Sequence, residues 1–390
     1  MRVHLACDND IFPPRFGGTQ RLFGLARGLA TRADVRALCV VPNRSTGAAD
    51  ERASGVAIHR MRAWYTSVAW WLERGRVAPL FTADLGHRAH AGAFRRALGE
   101  PADVLMCDLG MTALLRGADD TLRVYHAQNV EAVRWREAGP RVMARGHWAR
   151  VMSDLERRAV AESDLTVVCT DEDAAQMRAL HGAHDVEVIA NGYDETAARP
   201  ADASSRRRAR QALGIAEDAY VMAFVGGNWS ANHEALAFLR REVLPPLARE
   251  GGVLLAVGGV ARGLTDVREH GFVAVGETPD LGAVLDAADA GLNPMAQGGG
   301  SNVKVPTYLA HGLAVVSTAF GMRGYAPLEA DVTVTPREGF VDALRSRPRG
   351  WAARGVPAPA ALADYAWGAL GARLADRFAT RLAARRQGAA

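Results

Sequence analysis

Apolar residues in this chain fall into short unbroken blocks separated by longer stretches with helical spacing. In the first half the blocks cover 3–7, 35–41, 56–59, 104–108, 122–126, 165–169 and 186–190. They do not alternate with polar positions, which is the pattern of strands buried on both faces of a parallel sheet. A second set follows at 220–225, 253–257, 272–275, 290–293, 314–317 and 332–334, with helical spacing at 233–247 and 306–311 between them. Strands alternating with helices predict an α/β fold of two tandem doubly wound, Rossmann-like domains.

The joint between the two sets is legible. Asn191-Gly192 is a turn dipeptide, and 197–205 is small, polar and proline-containing before a helix expected to open at Arg206-Arg207-Arg208, read as a solvated helix start rather than a nucleic-acid patch. The expected domains are 1–197 and 198–363. Beyond them, 364–390 carries an amphipathic Ala/Leu/Arg pattern, expected as a helix that returns to the first domain. A length of 390 residues suits two cores better than one.

Composition narrows the class. Hydrophobic content of 49% with 23% charged residues excludes a disordered chain. No run approaches the roughly 20 apolar residues of a membrane span, and the N-terminus runs into a strand without a signal-peptide pattern, so the expected location is cytoplasmic. Cys7, Cys39, Cys107 and Cys169 lie in or beside apolar blocks without CxxC spacing, and read as small buried hydrophobes. A net charge of +4 suits an anionic ligand or the inner face of a membrane, and is too weak to argue for nucleic acid.

In open α/β sheets the loops after the strands carry the chemistry. Four stand out. Gly17 and Gly18 lead from the first strand into a helix, either as a tight turn or to bring backbone against a ligand. His126-Ala127-Gln128-Asn129-Val130-Glu131 follows a buried strand, with His126 either a core or capping histidine or a reactive one. Gly226-Gly227-Asn228-Trp229 precedes a helix with Ser230 or Asn232 as expected caps. The last loop is Gly298-Gly299-Gly300-Ser301-Asn302-Val303-Lys304-Val305, before a helix expected to begin near Pro306 and end at Gly312.

Lys304 matters because the chain has 47 lysines and arginines and only this one is lysine. A compact ammonium fits a crowded phosphate pocket that a planar guanidinium would not. Neither GxGxxG nor a Walker motif accompanies it. Asp8-Asn9-Asp10 and Asp171-Glu172-Asp173 read as loop and cap residues, so no metal site is expected. Trp64, Tyr65, Trp70 and Trp71 cluster with Arg62, Arg74 and Arg76, either as a helix packing rings inward or as a surface for sugar stacking or a membrane edge.

Ala290-Gly291-Leu292-Asn293-Pro294, the Lys304 loop, the run from Tyr308 to Thr318 and Gly321-Met322-Arg323-Gly324 together resemble the donor-binding signature of GT-B glycosyltransferases of the GT4 type. Val188-Ile189-Ala190-Asn191-Gly192 and Val225-Gly226-Gly227-Asn228-Trp229 with Asn232 match in the same order, so the resemblance covers nearly the whole chain. It implies a metal-independent, retaining transfer from a nucleotide-sugar, a UDP- or GDP-sugar, bound mostly by the second domain, to a small-molecule, glycan or lipid-linked acceptor bound mostly by the first. On this resemblance His126 and Lys304 are the catalytic positions. The donor site comprises Gly17, Gly18, Gly226, Gly227, Asn228, Gly299, Gly300, Ser301, Asn302, Val303, Lys304 and Thr307. Asn129, Trp64 and Trp70 are acceptor candidates. The chain departs from the family at Gly299 and Thr307, which stand where relatives commonly have glutamates; Thr307 retains a hydroxyl for a ribose. A nucleotide-sugar epimerase and a non-catalytic nucleotide-sugar binder share the scaffold. The first would want acid/base carboxylates that are scarce around Lys304, and the missing glutamates favour the second.

Overall fold

The computed structural model describes residues 1–75, 77–79, 83–118, 120–137, 144–264, 268–346 and 358–388. Two units make up the chain, Met1–Ala190 with Trp367–Ala390, and Asn191–Ala366.

The first unit is built on an eight-stranded sheet. Its strands are β1 (Arg2–Cys7), β2 (Asp34–Pro42), β3 (Asp50–Ala53), β4 (Val56–Ala63), β5 (Val104–Asp108), β6 (Leu122–His126), β7 (Leu165–Val168) and β8 (Val186–Val188). The order is β3-β4-β2-β1-β5-β6-β7-β8, parallel except at β3–β4. Successive side chains of β1 go to opposite faces. Val3, Leu5 and Cys7 pack with the helices Gly17–Leu29 and Trp367–Gly388, whereas Ala6 packs with the helices Asp84–Leu98 and Arg145–Ala161. The chain builds β1, β2 and β4 outward and then returns to place β5 on the other side of β1. That reversal opens a crevice at the carboxyl ends of β1 and β5.

The C-terminal helix Trp367–Gly388 belongs to this first unit. It crosses Gly17–Leu29 where glycines meet: a Cβ on Gly28 would lie 2.1 Å from the Trp367 carbonyl oxygen, and one on Gly371 2.3 Å from the Gly28 carbonyl carbon. Arg377 and Arg381 pair with Asp185, and Arg385 pairs with Asp164 at 3.0 Å. The segment expected as one helix from 364 begins instead as a 3₁₀ turn, Ala360–Tyr365.

The second unit holds β9 (Tyr220–Val225), β10 (Gly252–Val257), β11 (Arg268–Glu269), β12 (Phe272–Gly276), β13 (Ala290–Asn293), β14 (Ala314–Ser317) and β15 (Val332–Val334). Their order is β11-β12-β10-β9-β13-β14-β15, with only β11–β12 antiparallel. The reversal here falls between β9 and β13. Among the described residues no helix is long and apolar enough to cross a membrane. All four cysteines are buried thiols.

Several expectations shift. β3 and β11 have no apolar block, and antiparallel pairing to one neighbour is what makes them strands. The single helix expected at 233–247 is Ser230–Phe238, a π-helical turn Leu239–Val243 and a short helix Leu244–Ala248. Pro245 and Pro246 sit in its first turn, where they donate no amide proton to the preceding helix. The helix expected to open at Arg206 starts at Ala203, because Asp202 caps it by accepting from the Ser205 amide at 2.7 Å. Arg206 is buried against Asp289 at 2.6 Å instead of being solvated. The chain enters the second unit at Asn191, ahead of the expected 197/198 joint, because Asn191 is hydrogen-bonded into the Ser301 loop.

Candidate active site

Glycines let two turns meet at the carboxyl edge of the second unit's sheet. Gly258 has φ +91°, and a Cβ there would stand 2.6 Å from the Gly226 carbonyl oxygen; one on Gly259 would stand 2.8 Å from the Asn228 nitrogen. The helix Ser230–Phe238 begins beside them with Trp229 at its N-cap and no side-chain cap. Ser230 and Asn232 therefore do not serve as the expected caps. The Asn232 amide donates to the Gly227 carbonyl at 3.1 Å, and its Oδ1 accepts from Lys304 Nζ at 3.1 Å.

Lys304 is the first residue of the helix Lys304–Ala310, two positions before the expected start near Pro306. Pro306 falls in the first turn, where its missing N–H costs nothing. The loop before it turns through Gly298 and Gly300, with φ +135° and +62°. The lysine is half-buried, with its ammonium 4.8 Å from the centre of the Phe224 ring. Among the described residues it has no carboxylate partner. Burial without a counter-charge pulls its pKa down to about 7.

The rest of this loop is braced from within the same unit. Ser301 Oγ accepts from the Asn191 amide at 2.9 Å, the Ser301 carbonyl accepts from the Asn191 side chain at 2.7 Å, and the Tyr325 hydroxyl donates to the Asn191 carbonyl at 2.9 Å. Asn302 reaches the Gly321 carbonyl at 3.5 Å. Thr307 Oγ1 donates to the Val303 carbonyl at 2.8 Å, so its hydroxyl has only acceptor capacity left for a ligand. Sequence reasoning missed Asn191 and Tyr325 as braces; the Asn191-Gly192 turn after an apolar block was the signal available.

In the first unit, Asp8 directly follows β1, and Asp108 and His126 terminate β5 and β6. Asp108 and His126 are register partners. His126 is 0% exposed, and its Nε2 accepts from Arg21 Nε at 2.9 Å. Its Nδ1 lies 3.8 Å from Asp108 Oδ1, beyond hydrogen-bond reach. Burial, then the Arg21 charge, keeps the imidazole below its usual pKa against the pull of Asp108, and therefore neutral. Arg21 itself also donates to the Ile189 and Ala190 carbonyls, at 2.7 and 3.2 Å, tying the helix Gly17–Leu29 to the end of the sheet. Gly17 opens that helix, and a Cβ on Gly18 would press on Gln128 Oε1 at 2.6 Å, where Gln128 donates to Asp108 at 2.8 Å. Asn129 is engaged with Glu131 at 2.9 Å.

Asp8 is 3% exposed, its Oδ2 has no hydrogen-bond partner among the described residues, and burial followed by the Asp108 charge raises its pKa to about 8. Asp10 is paired with Arg60 at 2.7 Å, and Asp171 to Asp173 form the first turn of a helix capped by Thr170. Among the described residues no group of three metal-ligating side chains assembles. A cavity of about 530 Å³ opens beside Asp8, lined by the loops after β1 and β2 and by Trp70. Trp70 packs under Arg44, whose guanidinium carbon is 3.5 Å from the ring centre. Trp64 stands outside this cavity and is 66% exposed. Arg76 and the Arg74 side chain lie outside the described residues.

Residues 219–346 match the family model of glycosyl transferases group 1. A D-inositol 3-phosphate glycosyltransferase of Mycobacterium tuberculosis (strain ATCC 25618 / H37Rv) is 44% identical over 73 residues. That match spans 18% of this chain and 15% of the relative's length. Among solved structures, sucrose-phosphate synthase from Thermosynechococcus elongatus superposes with a TM-score of 0.69 at 15% identity, over 100% of this chain and 98% of that one. The Anabaena protein Alr3699/HepE in complex with UDP superposes with a TM-score of 0.54 at 14% identity, over 100% of both chains.

Proposed function

Since the chain has the two-domain GT-B glycosyltransferase fold and residues 219–346 match glycosyl transferases group 1, we propose that it moves a sugar from a nucleotide-sugar to an acceptor with retention of configuration and without a metal ion. The second unit holds the donor, a UDP- or GDP-sugar, and the first holds the acceptor. The observation that carries this reading is Lys304: an ammonium with no carboxylate partner among the described residues, at the mouth of a glycine loop.

In the reaction the acceptor oxygen forms a bond to the sugar's anomeric carbon. The bond from that carbon to the diphosphate breaks, its electron pair leaves with the diphosphate, and the acceptor's proton passes to the leaving phosphate oxygen. Charge grows on the diphosphate as this happens, and a preorganised cation with loop amides stabilises it most at that moment. Lys304 supplies the cation and the Gly299-Gly300 backbone the amides. Gly226, Gly227 and Asn228 let the nucleotide approach the sheet edge, and Thr307 accepts from a ribose hydroxyl. His126, wholly buried and bonded to Arg21, fits a positioning role at the end of β6.

The Anabaena protein's UDP supports a nucleotide donor for this fold. Trp64 and Trp71, 66% and 64% exposed on the helix Trp64–Arg74, support work at the cytoplasmic face of a membrane, in polysaccharide, glycolipid or secondary-metabolite glycoside assembly. A binder without turnover is favoured by one observation, the absence of a carboxylate at Gly299 and Thr307. Incubation with a panel of UDP-, GDP- and dTDP-sugars, followed by mass spectrometry, tests both. Sugar transfer or donor hydrolysis supports the enzyme, nucleotide-sugar binding with neither supports the binder, and isomerised donor would point to an epimerase and refute both.

A further inference from the structure

We propose, building on that reading, that the cavity in the first unit takes an anionic acceptor: a hydroxylated molecule whose phosphate or carboxylate is held by Arg15 and Arg44. Arg15 lies on the loop after β1 and Arg44 on the loop after β2, and both line the cavity beside Asp8 and Trp70. Most nearby cations are spoken for. Arg60 pairs with Asp10 and Glu51, and Arg62 donates to the Ser45 and Gly47 carbonyls. Among the described residues, the guanidinium groups of Arg15 and Arg44 have neither a carboxylate nor a carbonyl partner. The Arg44 guanidinium stacks over the rings of Trp70 and Trp71, at 3.5 and 5.4 Å from the ring centres. A guanidinium stacked this way keeps its N–H edge free for the two-pronged bond that phosphate and carboxylate accept.

The cavity also has acidic groups, and they do not cancel this field. Asp10 shares Arg60 with Glu51 and is held by Ser45 at 3.1 Å, so Arg15, Arg44 and Arg60 together still outnumber these two carboxylates. Asp8 is kept protonated at neutral pH by burial and by Asp108, with Glu73 adding to the effect. What remains is two cations, one neutral carboxyl with an unbonded oxygen, and the exposed Phe16 ring. That set matches an anion joined to a polyhydroxylated ring: guanidinium groups for the anion, the Asp8 carboxyl for a hydroxyl, and an aromatic face for the ring's C–H surface.

The test titrates the full chain calorimetrically with inorganic phosphate, a hexose 6-phosphate and the unmodified hexose, and separately with UDP and GDP. A hexose 6-phosphate should bind at least tenfold more tightly than the hexose, and Arg15→Gln or Arg44→Gln should weaken it by about tenfold each, as expected for losing a charged hydrogen bond. Binding of UDP or GDP should be unchanged in both variants, since it belongs to the second unit. Cosedimentation with vesicles of phosphatidylcholine, with or without phosphatidylinositol, separates a lipid headgroup from a soluble anion. Headgroup-dependent binding that Arg15→Gln and Arg44→Gln abolish supports the proposal with a lipid source. Should neither anion bind beyond the hexose and phosphatidylcholine controls, or bind equally to the variants, the anionic acceptor is refuted while nucleotide binding leaves the transferase reading intact. Absence of nucleotide binding would instead count against the transferase reading. The melting temperature of Arg15→Gln should match the parent's, because its guanidinium has no ionic or carbonyl partner among the described residues, and that of Arg44→Gln should fall only by the small amount that stacking on Trp70 contributes.

Discussion

Replacing Lys304 has opposite expected effects on stability and on turnover, and that opposition makes it a sharp test. The ammonium is half-buried, Asn232 Oδ1 at 3.1 Å is its one hydrogen-bond acceptor among the described residues, and its pKa falls from 10.5 to about 7. Between those values the folded protein binds fewer protons at this site than the unfolded chain does. Stability from this group therefore rises with pH across that window and is poorest below about 7, where the buried ammonium must stay charged. Lys304→Met removes that burden, so its melting temperature should exceed the parent's at pH 6, with the difference shrinking as pH rises. A bound diphosphate reverses the balance. At about 4 Å in a surface-like dielectric, one charge pair is worth about 4 kcal/mol, and losing a comparable contact to a developing anion typically costs about 3 to 4 kcal/mol in the barrier. Lys304→Ala should thus lose roughly 100- to 1000-fold in kcat. Lys304→Arg should lose far less, because it keeps the charge while crowding Gly299 and Gly300. Diphosphate binding raises the lysine's pKa, so the parent should take up protons on binding UDP or GDP above about pH 7, and its affinity should fall as pH rises further. Calorimetry in buffers of different ionisation enthalpy measures that uptake, which Lys304→Ala should abolish. A folded Lys304→Ala with near-normal kcat would refute the phosphate role.

Three further outcomes follow from particular contacts. His126→Ala removes the acceptor of Arg21 Nε and opens a cavity in a fully buried site, and should lower stability by about 2 kcal/mol or more in denaturant melts; nucleotide diphosphate affinity should stay unchanged, and a parent-like melt with reduced kcat would mean that the ring acts on the reaction directly. Asp289→Ala strands Arg206 and Arg210, which it holds at 2.6 and 2.9 Å, so it should cost about 3 to 5 kcal/mol, and a loss under 1 kcal/mol would show that the buried triad is expendable. Gly371→Ala drives a methyl to within 2.3 Å of the Gly28 backbone, so thermal melting should show a loss of about 1 to 3 kcal/mol, whereas Gly182→Ala, with φ +71° but nothing within 4 Å, should be penalised through its backbone alone.

Periodicity alone determined most of the architecture. Unbroken apolar blocks such as 3–7 and 220–225 can be satisfied only where both strand faces are covered, and such a strand reports itself without help from distant residues. Lys304 stood out by the same local logic, as the sole lysine beside left-handed glycines. What the tertiary structure decided was which polar groups meet. Nothing near Arg206 in the chain announces Asp289, and nothing near His126 announces Arg21, which reaches it from the helix after β1. Nor could spacing distinguish Arg15 and Arg44 from the other arginines, because whether a cation is paired depends on carboxylates brought up by other strands. Burial and charge balance are sums over neighbours far apart in sequence, so they exist only once the sheet has set those neighbours side by side.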